Sequence, residues 1–382
     1  MTADELIKLI PSETFRKLAI ETKVDVQVKK LSGEVIFKLI LFSMLNSDKL
    51  SLRVMETYLQ SAQFKAFSQF DILDGKYNSI RDRICSINYK YFEELFKTIF
   101  SIYNKELKEE KALSRTDSTC VALAARLLTN GIEMGNESTK FVKYTVNLKG
   151  SLPSSVKVFT DQRYASEEHA LKELIEVSDC SEADIVVFDR GIRSRATFDK
   201  FTGKGKLFVC RAELSTRYKV CQSNVVPAKP EESSVTIISD EIGILTSKRN
   251  GDTNHRYRII KATIDNSGQL IFFITNVFDE DPYTIAAWYK QRWDIEVFFK
   301  FIKQHLNVKH LVSRDNNGIK VMIYMTMILA TLLIAYKKIN KIKGFKIAKL
   351  KFELELEKEI IKTIVILCGG DPSKAPYYFN SA

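Results

Sequence analysis

The chain has 382 residues, 45% hydrophobic and 27% charged, with a formal net charge of +11. That length holds two or three domains with a large core, and the balance is that of an ordinary soluble globular protein. The basic excess points to a polyanionic partner, nucleic acid first and an anionic membrane surface second.

The N-terminus, MTADELIKLIPSETF, has no basic start and no long apolar run, so it does not read as a signal peptide. Residues 1 to about 105 read as helical. SGEVIFKLILFSMLN and SLRVMETYLQSAQF have helical apolar spacing, each behind a serine placed to cap it. NYKYFEELFKTIFSIYNKEL continues the pattern, and KELKEEK (105–111) is a charged, exposed junction.

The texture then changes. ALSRTDSTCVAL (112–123), FVKYTVNLKG (141–150) and SVKVFTD (155–161) read as three strands, the last two turned by Gly150 and Pro153. SEEHALKELIEV (166–177) reads as a helix with Ser166 as N-cap and two acids in its first turn. ADIVVFDRG (183–191) is a buried-type strand ending at Asp189, RSRATFDKF a helix, and KLFVCRAEL (206–214) a fifth strand. YKVCQS, SVTIISDEIGIL, RYRIIKATID and QLIFFITNVF make residues 215–277 a β-rich insertion with polar turns such as KRNGDTN, and the chain is helical again from 281.

Three strands, helix, strand, helix, strand, insertion and long helix is the order of a ribonuclease H-like α/β fold, a mixed sheet flanked by helices. The expected division is a helical N-terminal domain (1–108), a ribonuclease H-like domain (109–214 and 278–315), the insertion (215–277) and a helical C-terminal region (316–382). VMIYMTMILATLLIAY (321–336) has 16 uncharged residues followed by KKINKIKGFK. A membrane span needs about 20, so the expectation is a helix buried in a core or at a domain interface. The six cysteines, Cys180 among them, form no C-x-x-C pair, and there are four histidines. That argues against a zinc site or disulfide framework and for a reducing cytoplasm.

The segment WYKQRWDIEVFFKFIK (288–303) carries the chemistry. With 282–306 on one helix at about 100° per residue, Tyr289, Arg292, Glu296, Lys300 and Lys303 share one face. Trp288, Ile295, Val297, Phe298, Phe299, Phe301 and Ile302 cover most of the rest. A helix apolar nearly all round is buried, so its polar stripe must face a cleft, a metal or a ligand. The bland alternative is an i,i+4 salt-bridged solvent face, worth a few tenths of a kcal/mol per pair. Asp117 in RTDST and Asp189 in VVFDRG lie on strands that are neighbours in such a sheet, which brings their carboxylates together. Asp161, at the end of the third strand, reads as a turn or cap residue.

Tyr289-x2-Arg292-x3-Glu296-x6-Lys303 resembles the Tyr-Arg-Glu-Lys signature of DDE transposases of the insertion-sequence-four type, and Lys300 fits it. DST at Asp117 and FDRG at Asp189 resemble the two aspartate motifs of that family, and FVCRAEL the strand that follows. A β insertion before the glutamate is also a family feature. Ile192, where a bulky or aromatic residue usually follows DRG, is a small departure. The resemblance covers about residues 112–315; residues 1–105 and the tail beyond 340 carry no matching motif.

The resemblance implies a metal-dependent transposase. Asp117, Asp189 and Glu296 would be catalytic and hold two Mg²⁺ ions, with Mn²⁺ as substitute and Asp117 bridging the pair. Tyr289, Arg292, Lys300 and Lys303 would hold the DNA backbone. The reaction implied is cut-and-paste transposition: nicking at the terminal inverted repeats, a hairpin intermediate and joining to target DNA, by a homodimer on double-stranded DNA. A flipped base would stack on Tyr257, Phe272 or Phe273, while Trp288 and Trp293 read as core. Lys29, Lys30, Arg53, Arg81 and Arg83 are candidate phosphate contacts for end recognition, with a solvated surface the equal alternative. The rival readings are a ribonuclease H-like nuclease that cuts without joining, a non-catalytic end-binding protein, and a basic peripheral membrane protein.

Overall fold

The computed structural model describes residues 1–382 except 71–73, 108–112, 125–130, 134–138, 178–183, 248–250, 307, 309–310, 314 and 380–382. Most of the charged junction at 105–111, part of the KRNGDTN turn and Cys180 lie outside the described residues.

Seven helices open the chain: α1 (Ala3–Lys8), α2 (Ser12–Thr22), α3 (Gly33–Asn46), α4 (Leu52–Gln60), α5 (Ala62–Ser68), α6 (Tyr77–Ser86) and α7 (Lys90–Leu107). The serines act as expected. Ser32 accepts from the Val35 amide and Ser51 from the Val54 amide, each satisfying an orphan donor of a first turn. The segment 51–64 is not one helix. Ser61 ends α4 in extended conformation and caps α5 through the Phe64 amide.

The strands are β1 (Leu113–Ala124), β2 (Ile132–Glu133), β3 (Thr139–Lys149), β4 (Leu152–Phe159), β5 (Ile185–Phe188), β6 (Leu207–Ala212), β7 (Tyr218–Ser223), β8 (Val235–Leu245), β9 (Tyr257–Ile264) and β10 (Gln269–Thr275). Between them lie α8 (Glu167–Val177) and α9 (Arg195–Gly203). They form one mixed sheet in the order β2-β3-β1-β5-β6-β10-β9-β8-β7, with β4 also on β3. β5 runs parallel to both β1 and β6, and the remaining pairs are antiparallel. This is a ribonuclease H-like α/β sheet flanked by helices. The insertion strands extend it through the β6–β10 pair.

The chain ends with α10 (Pro282–Lys290), α11 (Trp293–His305), α12 (Asn316–Ile339), α13 (Phe345–Leu367) and α14 (Pro376–Phe379). α12 is long and apolar enough to cross a membrane, but 94% of its most apolar stretch is buried within the fold. The N-terminal helices, β1, β3 and β4, α11 and α13 all pack with α12 in one cluster. Its apolarity is that of a central core helix.

Two smaller clusters mark the two faces of the sheet. Phe188, Phe208, Cys210 and Ile274 pack with Phe198 and Phe201 of α9 on one side. Val187, Val209 and Phe273 pack with Ile285 and Ala286 of α10 on the other, with Tyr289 against them. The alternation of strand side chains sorts the residues this way.

Candidate active site

β-pairing carries Asp117 and Asp189 to the same end of two neighbouring strands. Arg115 is level with Val187 in the parallel β1–β5 ladder; Asp117 stands two residues further along β1, and Asp189 one residue past the end of β5. Period-2 alternation puts Arg115, Asp117 and Thr119 on the face that α11 covers. Arg115 Nη1 is 3.1 Å from Asp294 Oδ2, and Lys303 donates to Thr119 Oγ1. The nine residues from 294 to 303 rise about 13.5 Å in a helix. The four from 115 to 119 span about 13.6 Å in a strand. The helix is therefore pinned along β1 at both ends, with Asp117 between the pins.

The 282–306 segment is not one helix. α10 ends at Lys290, Gln291 and Arg292 form a turn, and α11 begins at Trp293. No glycine or proline breaks it; the backbone tightens there to three-residue hydrogen bonds, Arg292 N to Tyr289 O and Ile295 N to Arg292 O. The Tyr289 hydroxyl donates to Asp189 Oδ1 at 2.8 Å, and Arg292 Nη2 donates to Glu296 Oε1 at 2.7 Å. The expected apolar wrap of α11 is also incomplete. Trp293 is 61% and Val297 43% exposed, so Trp293 is not a core residue, while Trp288 packs partly buried beside Ile285. Ile295, Phe298, Phe299, Phe301 and Ile302 are buried as expected.

Arg292 is buried, and its Nε has no hydrogen-bond partner among the described residues. Its guanidinium also stands 5.6 Å from the Tyr289 ring centre. Burial opposes its charge, but Glu296, Tyr289 and Asp189 outweigh this and raise its pKa. A buried arginine with an idle donor beside three acids is set to receive a further anion. Lys300 is exposed and Lys303 half-buried.

Burial pushes the Asp117 carboxyl up to about 6. The charges of Glu167 and Glu296 add to the rise, while the Ser118 amide and Arg292 oppose it. Glu167 is a neighbour that sequence reasoning treated only as a first-turn acid. Gly191 explains its position: a Cβ there would stand 2.6 Å from Leu171 Cδ1 and 3.0 Å from the Glu167 carboxyl carbon. The glycine of FDRG thus lets the start of α8 close on the site.

Oxygen donors crowded into a partly buried place, one of them reluctant to ionise, suit a hard divalent cation that would offset their repulsion. Among the described residues, no three acids, histidines or cysteines stand close enough to enclose one ion. Tyr289 and Arg292 hold Asp189 and Glu296 instead.

The other expectations divide. Asp161 is a cap: its carboxylate accepts from the Arg163 amide. Arg83 is committed to the fold, donating to Leu31 O, Val24 O and Asp25, so it is not a free phosphate contact. Arg81 pairs with Asp82, Lys30 with Asp74, and Arg53 lies over Tyr77. Tyr257 is buried and donates to Asp199 Oδ1 at 2.9 Å, and Phe272 lies beneath Lys261. Phe273 packs on Tyr289 at 5.2 Å and lines a cavity of about 700 Å³ with Tyr289, Arg292 and Trp293.

The family model described as "Transposase DDE domain" matches residues 143–333, half of the chain. The match includes Asp189 and the Tyr289–Lys303 stripe and begins after Asp117. A Geobacillus stearothermophilus protein named as the probable transposase for insertion sequence element IS5377 is 25% identical over 261 residues, 67% of this chain and 66% of its own. A Synechocystis protein provisionally named for insertion sequence element IS4SA as its transposase is 25% identical over 266 residues, 65% of this chain and 69% of its own. One from Sinorhizobium fredii, provisionally named transposase y4zB, is 28% identical over 157 residues, 41% and 43% of the two chains. The match spans just under two thirds of the first of these relatives and less than half of the last.

Proposed function

The chain belongs to the transposase DDE domain family, and from that premise we propose that it cleaves DNA at the ends of a mobile element and joins those ends to target DNA. The observation that supports the reading is Arg292, buried with an idle Nε donor, which holds Glu296 of α11 and acts electrostatically on both Asp117 of β1 and Asp189 beyond β5.

Asp117, Asp189 and Glu296 would hold divalent ions, two Mg²⁺ in our reading with Mn²⁺ as substitute, which would supply activation of the attacking oxygen and charge neutralisation at phosphorus. The chain's own groups do the rest. Arg292 uses Nε on the phosphate while Nη2 stays on Glu296, fixing that carboxylate. Tyr289 orients Asp189. Lys303, pinned to Thr119, and exposed Lys300 supply point charges to the backbone on either side. Cut-and-paste transposition through a hairpin belongs to this proposal, as does a homodimer holding two terminal inverted repeats. We place an unstacked base in the cavity lined by Phe273, Tyr289 and Trp293, since aromatic faces accept any base. Lys29 and Lys30 in the α2–α3 loop, Arg53 on α4 and Arg81 on α6 are the proposed end-recognition contacts. The protein would act in the cytoplasm, where the DNA lies.

The test is cleavage of DNA carrying the sequences that flank the gene, with Mg²⁺, by wild type and Glu296→Gln. Nicking at the element boundary, lost in the variant while binding persists, is the expected result. Equal cleavage by both proteins would move the chemistry away from Glu296. Cutting without joining would leave a nuclease.

A further inference from the structure

A second basic feature sits beside Asp189, with its apolar wall on the other face of the sheet. The run RGIRSR (190–195) leaves β5, turns and enters α9. Ile192 is buried beside Phe198 and pins the turn. Arg190, Arg193, Arg195 and Arg211 line one small pocket of about 150 Å³, with Glu213 as the acid in its wall. Glu213 pairs with Arg193 at 3.2 Å. Arg190, Arg195 and Arg211 make no ion pair among the described residues. Arg195 is half-buried at the first turn of α9, where the helix dipole is itself positive. Burial lowers its pKa, and Glu213 and Cys210 only partly offset this. Several like charges converging on a pocket with a single acid are unfavourable alone and become favourable when an anion enters. Arginine forks match phosphate oxygens bidentately.

The position gives the anion its class. Ile192, Phe198 and Ile274 of the pocket belong to the α9 face, whereas Tyr289 lies against the α10 face. Asp189 ends the strand between them. We infer that this pocket is a second seat for a DNA backbone phosphate, distinct from the reacting phosphate at Asp117, Asp189 and Glu296. The inference rests on the DNA-processing reading above. It makes the duplex cross the C-terminal ends of β5 and β6, held by α11 on one side and by the arginine pocket on the other.

The experiment is equilibrium binding of the full chain to a fluorescein-labelled duplex of random sequence over a range of KCl. Wild type is compared with Arg195→Gln, Arg190→Gln and Glu213→Gln. Each phosphate contact contributes about 0.9 to the slope of log K against log salt. Arg195→Gln is expected to lower the slope by about that amount and weaken binding several-fold. Arg190→Gln, at an exposed position, carries the same expectation if Arg195→Gln does not fold. Glu213→Gln is expected to tighten binding several-fold, a sign that no folding defect imitates. Unchanged affinity and slope in the arginine variants, with wild type binding, overturns the second seat alone. A wild type that does not bind the duplex overturns both the seat and the transposase reading. Inorganic phosphate separates the remaining source. If it raises the melting temperature of wild type but not of Arg195→Gln, while their DNA slopes agree, the pocket takes free phosphate and the inference fails.

Discussion

Two arginine–carboxylate pairs in this protein share their chemistry and differ in everything around it. Arg258 and Asp240 join β9 to β8 with two parallel contacts, 2.8 Å from Nε and 2.6 Å from Nη2. Arg258 Nη1 also donates to Phe278 O and Glu280 O, just before α10. Both side chains are almost wholly buried, at 4% and 1% exposure. Arg292 and Glu296 share one contact, Glu296 is 36% exposed, and the arginine keeps a buried donor idle among further acids. The first pair is closed and satisfied, as a structural clamp should be. The second is open and incomplete, as a group awaiting substrate should be.

The comparison breaks most easily at the clamp. Asp240→Ala strands a buried guanidinium and is expected to cost about 3–5 kcal/mol of stability. Adding Arg258→Met to it should restore much of that loss, because a buried pair often exchanges for apolar groups at little cost. Chemical denaturation measures both. A loss under about 1 kcal/mol for the single variant would mean that water reaches the pair and that it is no clamp.

At the site the same kind of deletion should act on rate instead. Glu296→Gln is expected to leave stability within about 1 kcal/mol, because the pair is partly solvated. Cleavage should fall by more than about a hundredfold, since even partners behind a metal ligand are worth 10–100-fold. A variant that melts early and cleaves normally would reverse the assignment of the two pairs.

Much of this contrast was legible in the sequence, though unevenly. The strands were readable most plainly at β5, where IVVF is wholly β-branched and aromatic, and less so at β1, whose LSRTDSTCVALA holds three β-branched residues. The polar stripe was readable because its intervals suit a helix. The turn at Gln291–Arg292 was not, because no glycine, proline or capping side chain marks it. The exposure of Trp293 and Val297 follows from how α11 leans on β1, which periodicity cannot express. Glu167 was hidden because its role depends on the missing Cβ of Gly191. Asp240 drew no notice within SVTIISDEIGIL, since its partner is on another strand. The N-terminal helices read as a separate unit, yet they share a core with α12. Apolar faces show in a sequence, but their partners do not.

Tyr289→Phe sharpens the comparison on a finer scale. It removes one hydrogen bond, 2.8 Å to Asp189 Oδ1, and keeps the ring against Phe273. Burial and the charge of Asp189 hold the hydroxyl protonated by raising its pKa, so it is a donor throughout the working range. Stability should change by about 1 kcal/mol or less. Cleavage should fall about tenfold, the lower end for a group that orients a metal ligand, the role proposed for Asp189. An equal drop in DNA affinity would instead make the hydroxyl a backbone contact.

Lys300→Gln should give the smallest effect, and it tests which side of α11 meets DNA. Lys300 is exposed, one turn beyond Glu296 and on the same stripe. Lys303, by contrast, is half-buried and already donates to Thr119. An exposed ammonium with a mobile stem contributes point charge and little geometry. Its loss should leave the melting temperature unchanged, lower the salt slope of binding by about 0.9 and weaken affinity a few-fold. Cleavage at saturating DNA should hardly move, because the lysine neutralises backbone charge equally in ground and transition states. If saturated cleavage falls instead, Lys300 touches the reacting phosphate, and the open pair at Arg292 extends a full turn further along the helix.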